Sequence, residues 1–126
     1  MADVEPWLQE LKKVQFSVSA EVVQTPEAFS ARLRDEQYDV VLATGGMPSW
    51  TGLQVLETLR LQDEDTPFIF LGTDFEEDVM QELIGKGASD CVYRNRLARL
   101  PVAVAIAVEQ RLRREERDRA ETKLRH

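Results

Sequence analysis

Tyr38-Asp39-Val40-Val41-Leu42-Ala43-Thr44-Gly45-Gly46-Met47-Pro48-Ser49-Trp50-Thr51-Gly52 is the stretch that decides the fold. Tyr38 to Ala43 reads as a buried strand, apolar on both faces as expected when helices cover each side of a sheet, with Asp39 as a strand-start residue. A loop containing three glycines and a proline ends it abruptly. From about Thr51 an amphipathic helix follows, with Leu53, Val55, Leu56 and Leu59 on its apolar side. In an open parallel sheet, chemistry gathers where the carboxyl end of a strand meets the next loop. Thr44 and Gly45 stand there, so the chemistry open to Thr44 decides the function.

Downstream, Pro67 to Leu71 is a second fully buried strand and stops at Gly72-Thr73. Asp74 with Glu77 has the spacing of a capping box for a helix over Phe75 to Ile84, which Gly85 and Gly87 end. Asp90 to Tyr93 is the last strand. After Arg94-Asn95-Arg96 the spacing predicts one long helix from Leu97 to about Thr122, with Pro101 in its first turn. Upstream, Val4, Trp7, Leu8 and Leu11 recur at helical spacing and place a first helix over Asp3 to Lys13. Val14 to Val23 alternates like a strand exposed on one face. Thr25-Pro26-Glu27 then opens a helix that runs to about Asp35, with Phe29 and Leu33 inward. Strands alternating with helices over short connections imply an α/β fold with a parallel sheet and helices on both faces. Residues 1–108 make the domain, and residues 109–126 a charged helical linker or tail.

The 126 residues suit one domain, and 43% hydrophobic with 31% charged residues is an ordinary globular balance. No apolar run approaches the roughly 20 residues of a membrane span, and no secretory signal is visible at the start, so a cytoplasmic location away from the membrane is expected. The net charge is -7. It is uneven, because the tail from Glu109 carries more basic than acidic residues while the body before it is strongly acidic. An acidic body repels phosphate backbones, which argues against nucleic acid as a partner. Cys91 is the single cysteine, within Cys91-Val92-Tyr93, and reads as a small core hydrophobe. His126 is the single histidine, so zinc sites and Ser-His or Cys-His catalysis lack parts.

Four segments carry a family likeness. They are Tyr38-Asp39-Val40-Val41-Leu42, then Met47-Pro48 with Gly52-Leu53 behind, then Pro67-Phe68-Ile69-Phe70-Leu71, then Lys86-Gly87-Ala88-Ser89-Asp90 leading into Cys91-Val92-Tyr93-Arg94. In order and spacing the chain resembles a two-component receiver domain, as found in response regulators and hybrid sensory kinases, over roughly residues 1–108. The resemblance implies a flavodoxin-like fold and a place in signal transduction. It implies a phosphoryl-accepting aspartate at the end of the third strand and magnesium held by acids after the first. A Ser/Thr after the fourth strand and a Lys after the fifth would assist.

Carried over by position, the acceptor falls on Thr44, the hydroxyl residue on Gly72 and the lysine on Arg94. A threonine hydroxyl forms no acyl phosphate and offers no negative charge to a hard cation. Gly72 has no hydroxyl, and Arg94 replaces a compact ammonium by a planar fork. The aromatic that many receivers swing inward falls on Cys91. The resemblance therefore implies a degenerate receiver, or pseudo-receiver, outside the phosphorelay. It would be a protein-interaction and dimerisation module, not an enzyme, with neither metal nor cofactor. Its partner would be a signalling protein, a downstream module or a second copy. The family's first strand should precede the first helix, yet the sequence begins at Met1-Ala2-Asp3, already at that helix. The expectation is a four-stranded sheet, lacking that first strand, within a dimer.

From another class comes a sensor that holds a small anion or metabolite at Thr44, Gly45, Gly72 and Arg94, through loop amides and the guanidinium. Against it stands the reading that the glycines only serve turn geometry. Trp50 is either an exposed contact residue or folded over the pocket. Val104, Val108 and Leu112 make an apolar seam on the long helix, a candidate pairing surface, with only Ala120 and Leu124 continuing it. A flavin enzyme of the same fold class would need a phosphate loop and an acid-base pair, and neither is visible.

Overall fold

A computed structural model describes residues 5–13, 22–45, 50–63 and 65–124. In chain order the elements are α1 (Glu5–Lys13), α2 (Pro26–Asp35), β1 (Val41–Thr44), α3 (Gly52–Gln62), β2 (Phe68–Gly72), α4 (Glu77–Gly85), β3 (Asp90–Tyr93) and α5 (Leu100–Leu124). Helix starts follow local chemistry. The Thr25 hydroxyl accepts from the Ala28 N–H at 3.1 Å, with Pro26 at the first helical position. At α3, Thr51 Oγ1 accepts from the Gln54 N–H at 3.2 Å while Gln54 Oε1 accepts from the Thr51 N–H at 2.8 Å. Reciprocal caps of this kind stabilise a helix start by about 1 kcal/mol. At the end of α4, Gly87 takes φ +110 and the Ala88 N–H bonds back to the Leu83 carbonyl at 2.9 Å. A left-handed turn of this type favours glycine.

Among the described residues the sheet has three parallel strands in the order β1-β2-β3, with Leu42 opposite Ile69 and Leu71 opposite Val92. Every residue of the central strand is buried, as an apolar run without alternation demands. Its side chains divide by parity. Phe68 and Phe70 join Phe29, Trp50, Leu56, Leu59 and Leu83 under α2, α3 and α4, while Ile69 and Leu71 join Trp7, Leu11, Leu100 and Val104 under α1 and α5. The two cores therefore meet back to back across one strand.

Of the four expected strands the described residues form three; residues 14–21 of the fourth lie outside the described residues, and Val22 and Val23 are not in a strand. Other expectations change. Strand β1 begins at Val41, not Tyr38, with its ladder opened by the Val41 N–H on the Pro67 carbonyl at 2.9 Å. The Tyr38 carbonyl is instead taken by Arg111 Nη1 at 2.8 Å. Before α4, a short 3-10 turn runs over Asp74–Glu76. The capping pair is one residue earlier than Asp74 and Glu77, because the Glu76 carboxylate turns back to accept from the Thr73 N–H at 3.0 Å. The long helix starts at Leu100 rather than Leu97, since Arg94–Arg99 is 3-10 and Arg96 has non-helical backbone angles.

At the amino edge of the sheet the chain is tied by polar bonds. Asp63 Oδ1 accepts from the Asp65 and Thr66 N–H groups at 2.9 and 3.2 Å, and the buried Thr66 hydroxyl donates to Asp63 Oδ2 at 2.5 Å. Arg60 donates to the Thr66 and Gly87 carbonyls at 2.7 and 3.0 Å. Arg111 adds ion pairs to Glu115 and Asp63 at 3.2 and 3.9 Å, and Arg114 reaches the Asp65 carbonyl at 3.4 Å. Helix α5 thus stays fastened to the body past Val108, as far as Arg114.

Candidate functional site

Parallel strands bring their carboxyl ends to one edge, so Thr44 of β1, Gly72 of β2 and the β3 end Tyr93-Arg94 share it, with Thr44 opposite Leu71 and Gly72 opposite Tyr93. Thr44, Gly45 and Gly72 therefore lie on neighbouring strand tips. Arg94 stands one strand further away and is exposed. Thr44 is only 4% exposed, one of the two buried polar residues among those described.

Beneath this edge lies the Phe70 ring, and three glycines close on it, Gly45 after β1, Gly52 at the start of α3 and Gly72 at the end of β2. A Cβ built on Gly52 would lie 2.7 Å from Phe70 Cε1, one on Gly72 would lie 2.8 Å from Cε2 and also collide with the Met80 methyl, and one on Gly45 would lie 3.4 Å from Cζ. A side chain at Gly72 would therefore need the Phe70 ring and the Met80 methyl to shift.

Above the ring sits Glu76. One carboxylate oxygen, Oε1, accepts from the Thr73 N–H at 3.0 Å and from the Thr73 hydroxyl at 3.2 Å. The other, Oε2, lies against Gly45, where a Cβ would collide with it. Nearby, the Tyr93 hydroxyl donates to Glu77 Oε1 at 2.9 Å, and that hydrogen bond, with the neighbouring acids, pushes the phenol above its ordinary pKa. A hard divalent cation of the kind the resemblance implies needs several oxygen donors bearing negative charge. The described residues of this edge do not fit one: Thr44 is neutral, Gly72 offers no side chain and the Glu76 carboxylate is engaged by Thr73. No cluster of three or more metal-ligating side chains occurs among the described residues.

Cys91 is half-buried on β3, its thiol directed at the Met80 carbonyl at 3.8 Å. Burial, reinforced by the Asp90 charge and opposed by Arg99, pushes the thiol up to about 11. Such a thiol is a packing group rather than a nucleophile at neutral pH.

The candidate contact residues separate. Trp50 is 5% exposed and packs edge to face on Phe29, ring centroids 5.4 Å apart, so it is a core residue and not a surface contact. Val104 is buried, and Val108, partly buried, packs beside it against the chain's own sheet. Leu112 remains exposed, at 52%. The apolar residues that face outward on α5 are instead Val102 and Ile106, with Leu112 beyond them. Phe75, in the turn before α4, is 99% exposed. Sequence reasoning missed Phe70 and Glu76; the signal available was three glycines around one aromatic, Gly45 and Gly72 at strand ends and Gly52 at the start of α3. A cavity of about 280 Å³ opens at the opposite edge of the sheet, lined among others by Arg34, Tyr38, Gln62, Asp63 and Thr66.

No curated protein matches the sequence. Among solved structures, a Francisella response regulator 1452 receiver domain is similar with a TM-score of 0.68 at 21% identity, covering 86% of this chain and 91% of that one. A structure described as the adenylate cyclase from Rhodopirellula baltica is similar with a TM-score of 0.80 at 14% identity, covering 96% of this chain and 92% of that one. At such identities both likenesses establish the fold alone, a receiver-type parallel sheet with helices on both faces. No described helix is long and apolar enough to cross a membrane. The family model described as response regulator receiver domain matches residues 4–104, most of the chain. The chain therefore belongs to the response regulator receiver domains of two-component signalling.

Proposed function

We propose that this receiver domain is degenerate and works in signalling by binding other protein chains, without taking a phosphoryl group at the tip of β1 and without catalysis of its own. One observation carries the reading. The acceptor position holds Thr44, an alcohol buried beside a crevice that Phe70, Met80 and Glu76 already fill. An alkyl alcohol is not acidic enough to act as a ready phosphoryl acceptor without a base, and the Glu76 carboxylate, which lies against the neighbouring Gly45, is held by Thr73. The exposed apolar residues Val102, Ile106 and Leu112 on α5, together with Phe75, supply surfaces for a partner or a second copy. The mixed charges of α5 suit a solvated helix leading to a downstream module, with Glu109 and Arg113 paired one turn apart.

The direct test is incubation with acetyl phosphate and magnesium followed by intact mass measurement. An unchanged mass is expected, and a stable gain of one phosphoryl group contradicts the proposal. Self-association is read by sedimentation over a range of concentrations. Replacing Ile106 and Leu112 together by Glu should shift a dimer to monomer while leaving the fold intact.

A further inference from the structure

We propose that Asp90 and Arg99 form a clasp that seals the outer edge of β3 against a second copy of this chain, so that copies cannot join by adding strand to strand. The inference stands apart from the reading of Thr44. Among the described residues β3 pairs with β2 alone, which leaves its other side as an edge of the sheet. Which backbone groups face that edge follows from the bonds of β2. The Pro67 carbonyl, leading into β2, takes the Val41 N–H of β1 at 2.9 Å, and the next carbonyl, that of Phe68, takes the Ser89 N–H before β3 at 2.8 Å. Alternate residues of β2 therefore serve its two neighbours. With Phe70 opposite Cys91, the residues of β3 that bond to β2 are Asp90 and Val92, and the Cys91 N–H and carbonyl face outward.

Both outward groups are taken by the chain's own side chains. Asp90 Oδ1 accepts from the Cys91 N–H at 2.7 Å, and Arg99 Nη1 donates to the Cys91 carbonyl at 3.0 Å. Arg99 Nη2 closes the ring on Asp90 Oδ2 at 2.9 Å. The 3-10 turn over Arg94–Arg99, in which Arg96 leaves helical angles at φ -133 and ψ 50, is what brings the Arg99 guanidinium back beside the strand. An unsealed edge offers its N–H and C=O groups to any other strand, and two copies about a two-fold axis would lay β3 on β3 antiparallel. Because β3 has only four residues, satisfying both groups of Cys91 breaks such a ladder inside the strand.

The test opens the clasp by Asp90→Ala with Arg99→Ala, using the whole chain well below its melting temperature, with circular dichroism to confirm the fold. Ile69→Val, which weakens the core and leaves the clasp whole, is the control for lost stability. The readouts are exchange of the Cys91 amide and sedimentation over a range of concentrations. In dilute solution the Cys91 amide of the double variant should exchange roughly tenfold faster than in the natural chain, or more, since it loses a bond to a charged acceptor. On concentration the double variant should associate more strongly than the natural chain, and its Cys91 amide should slow again as strands pair. Ile69→Val should do neither. A Cys91 amide that exchanges no faster in the double variant, association no stronger than that of the natural chain, or association that leaves this amide fast would each overturn the inference. So would equal association by Ile69→Val, which would trace the effect to lost stability.

Discussion

The two edges of the sheet are built from different materials. At the carboxyl edge, where the fold places its chemistry, one phenyl ring, one methyl and one carboxylate fill the space between three glycines. At the amino edge, arginines and a carboxylate satisfy backbone groups from three connections: Arg111 the Tyr38 carbonyl, Arg60 those of Thr66 and Gly87, Arg114 that of Asp65, and Asp63 the N–H groups of Asp65 and Thr66. The first edge is held by apolar packing, which tolerates loss of functional groups so long as volume is kept. The second is held by charge-assisted hydrogen bonds, which fail when one partner goes. The site can therefore lose its reactive groups while the fold stands, and α5 is anchored at the end of the molecule remote from the site.

The largest test of that contrast is Phe70→Ala, which leaves a hole under the carboxyl edge and should cost about 3–5 kcal/mol in urea unfolding. Phe70→Leu, which keeps most of the volume, should cost much less; equal losses would mean that packing is not what holds this edge. Next comes Arg111→Ala at the amino edge. It strips a charged donor from the Tyr38 carbonyl and should cost about 1.5–3 kcal/mol, with amide exchange quickening from residue 109 onward. Exchange unchanged there would show that α5 is held by its apolar face alone.

Asp63 follows. Burial works to raise its pKa, but hydrogen bonds from Thr66 and from the Asp65 and Thr66 N–H groups, with the Arg111 charge, outweigh that and hold it below the usual carboxylate value. A lowered folded-state pKa contributes stability above the unfolded value, and this is lost as pH falls through the folded one. Asp63→Ala should therefore cost about 1–2 kcal/mol at neutral pH, and the difference from the natural chain should shrink in acid. A difference that grows in acid would refute this assignment.

The smallest effects belong to the site groups themselves. Thr44→Val should change stability by no more than about 0.5–1 kcal/mol, since it keeps the shape of a buried side chain. Cys91 should react with iodoacetamide much more slowly at pH 8 than it does in urea, and the rate should climb as pH approaches the thiol value of about 11. Fast labelling of the folded protein would contradict a desolvated thiol.

Much of this was legible in the sequence. The apolar run of Phe68 to Leu71 required a strand covered on both faces, and Thr25 and Thr51 announced their helices by cap chemistry that needs only neighbours a few residues away. The positions of Thr44, Gly72 and Arg94 at one edge followed from parallel strands. What could not be read depends on contacts between distant segments. Glu76 reaches Gly45 only because two loops are brought side by side, and Trp50 is drawn into the core by Phe29 across α2 and α3. The apolar residues of α5 cover so much of its circumference that spacing alone did not separate Val104, which faces the sheet, from Ile106, which faces out.

Fluorine NMR of the protein with beryllofluoride and magnesium tests the central claim most directly, since the complex mimics a phosphoryl group on an accepting carboxylate. The account predicts only the resonances of free beryllium fluorides, with the Thr44 and Thr73 amides unmoved. A saturable protein-bound fluorine signal, accompanied by shifts at the tips of β1 and β2, would contradict it.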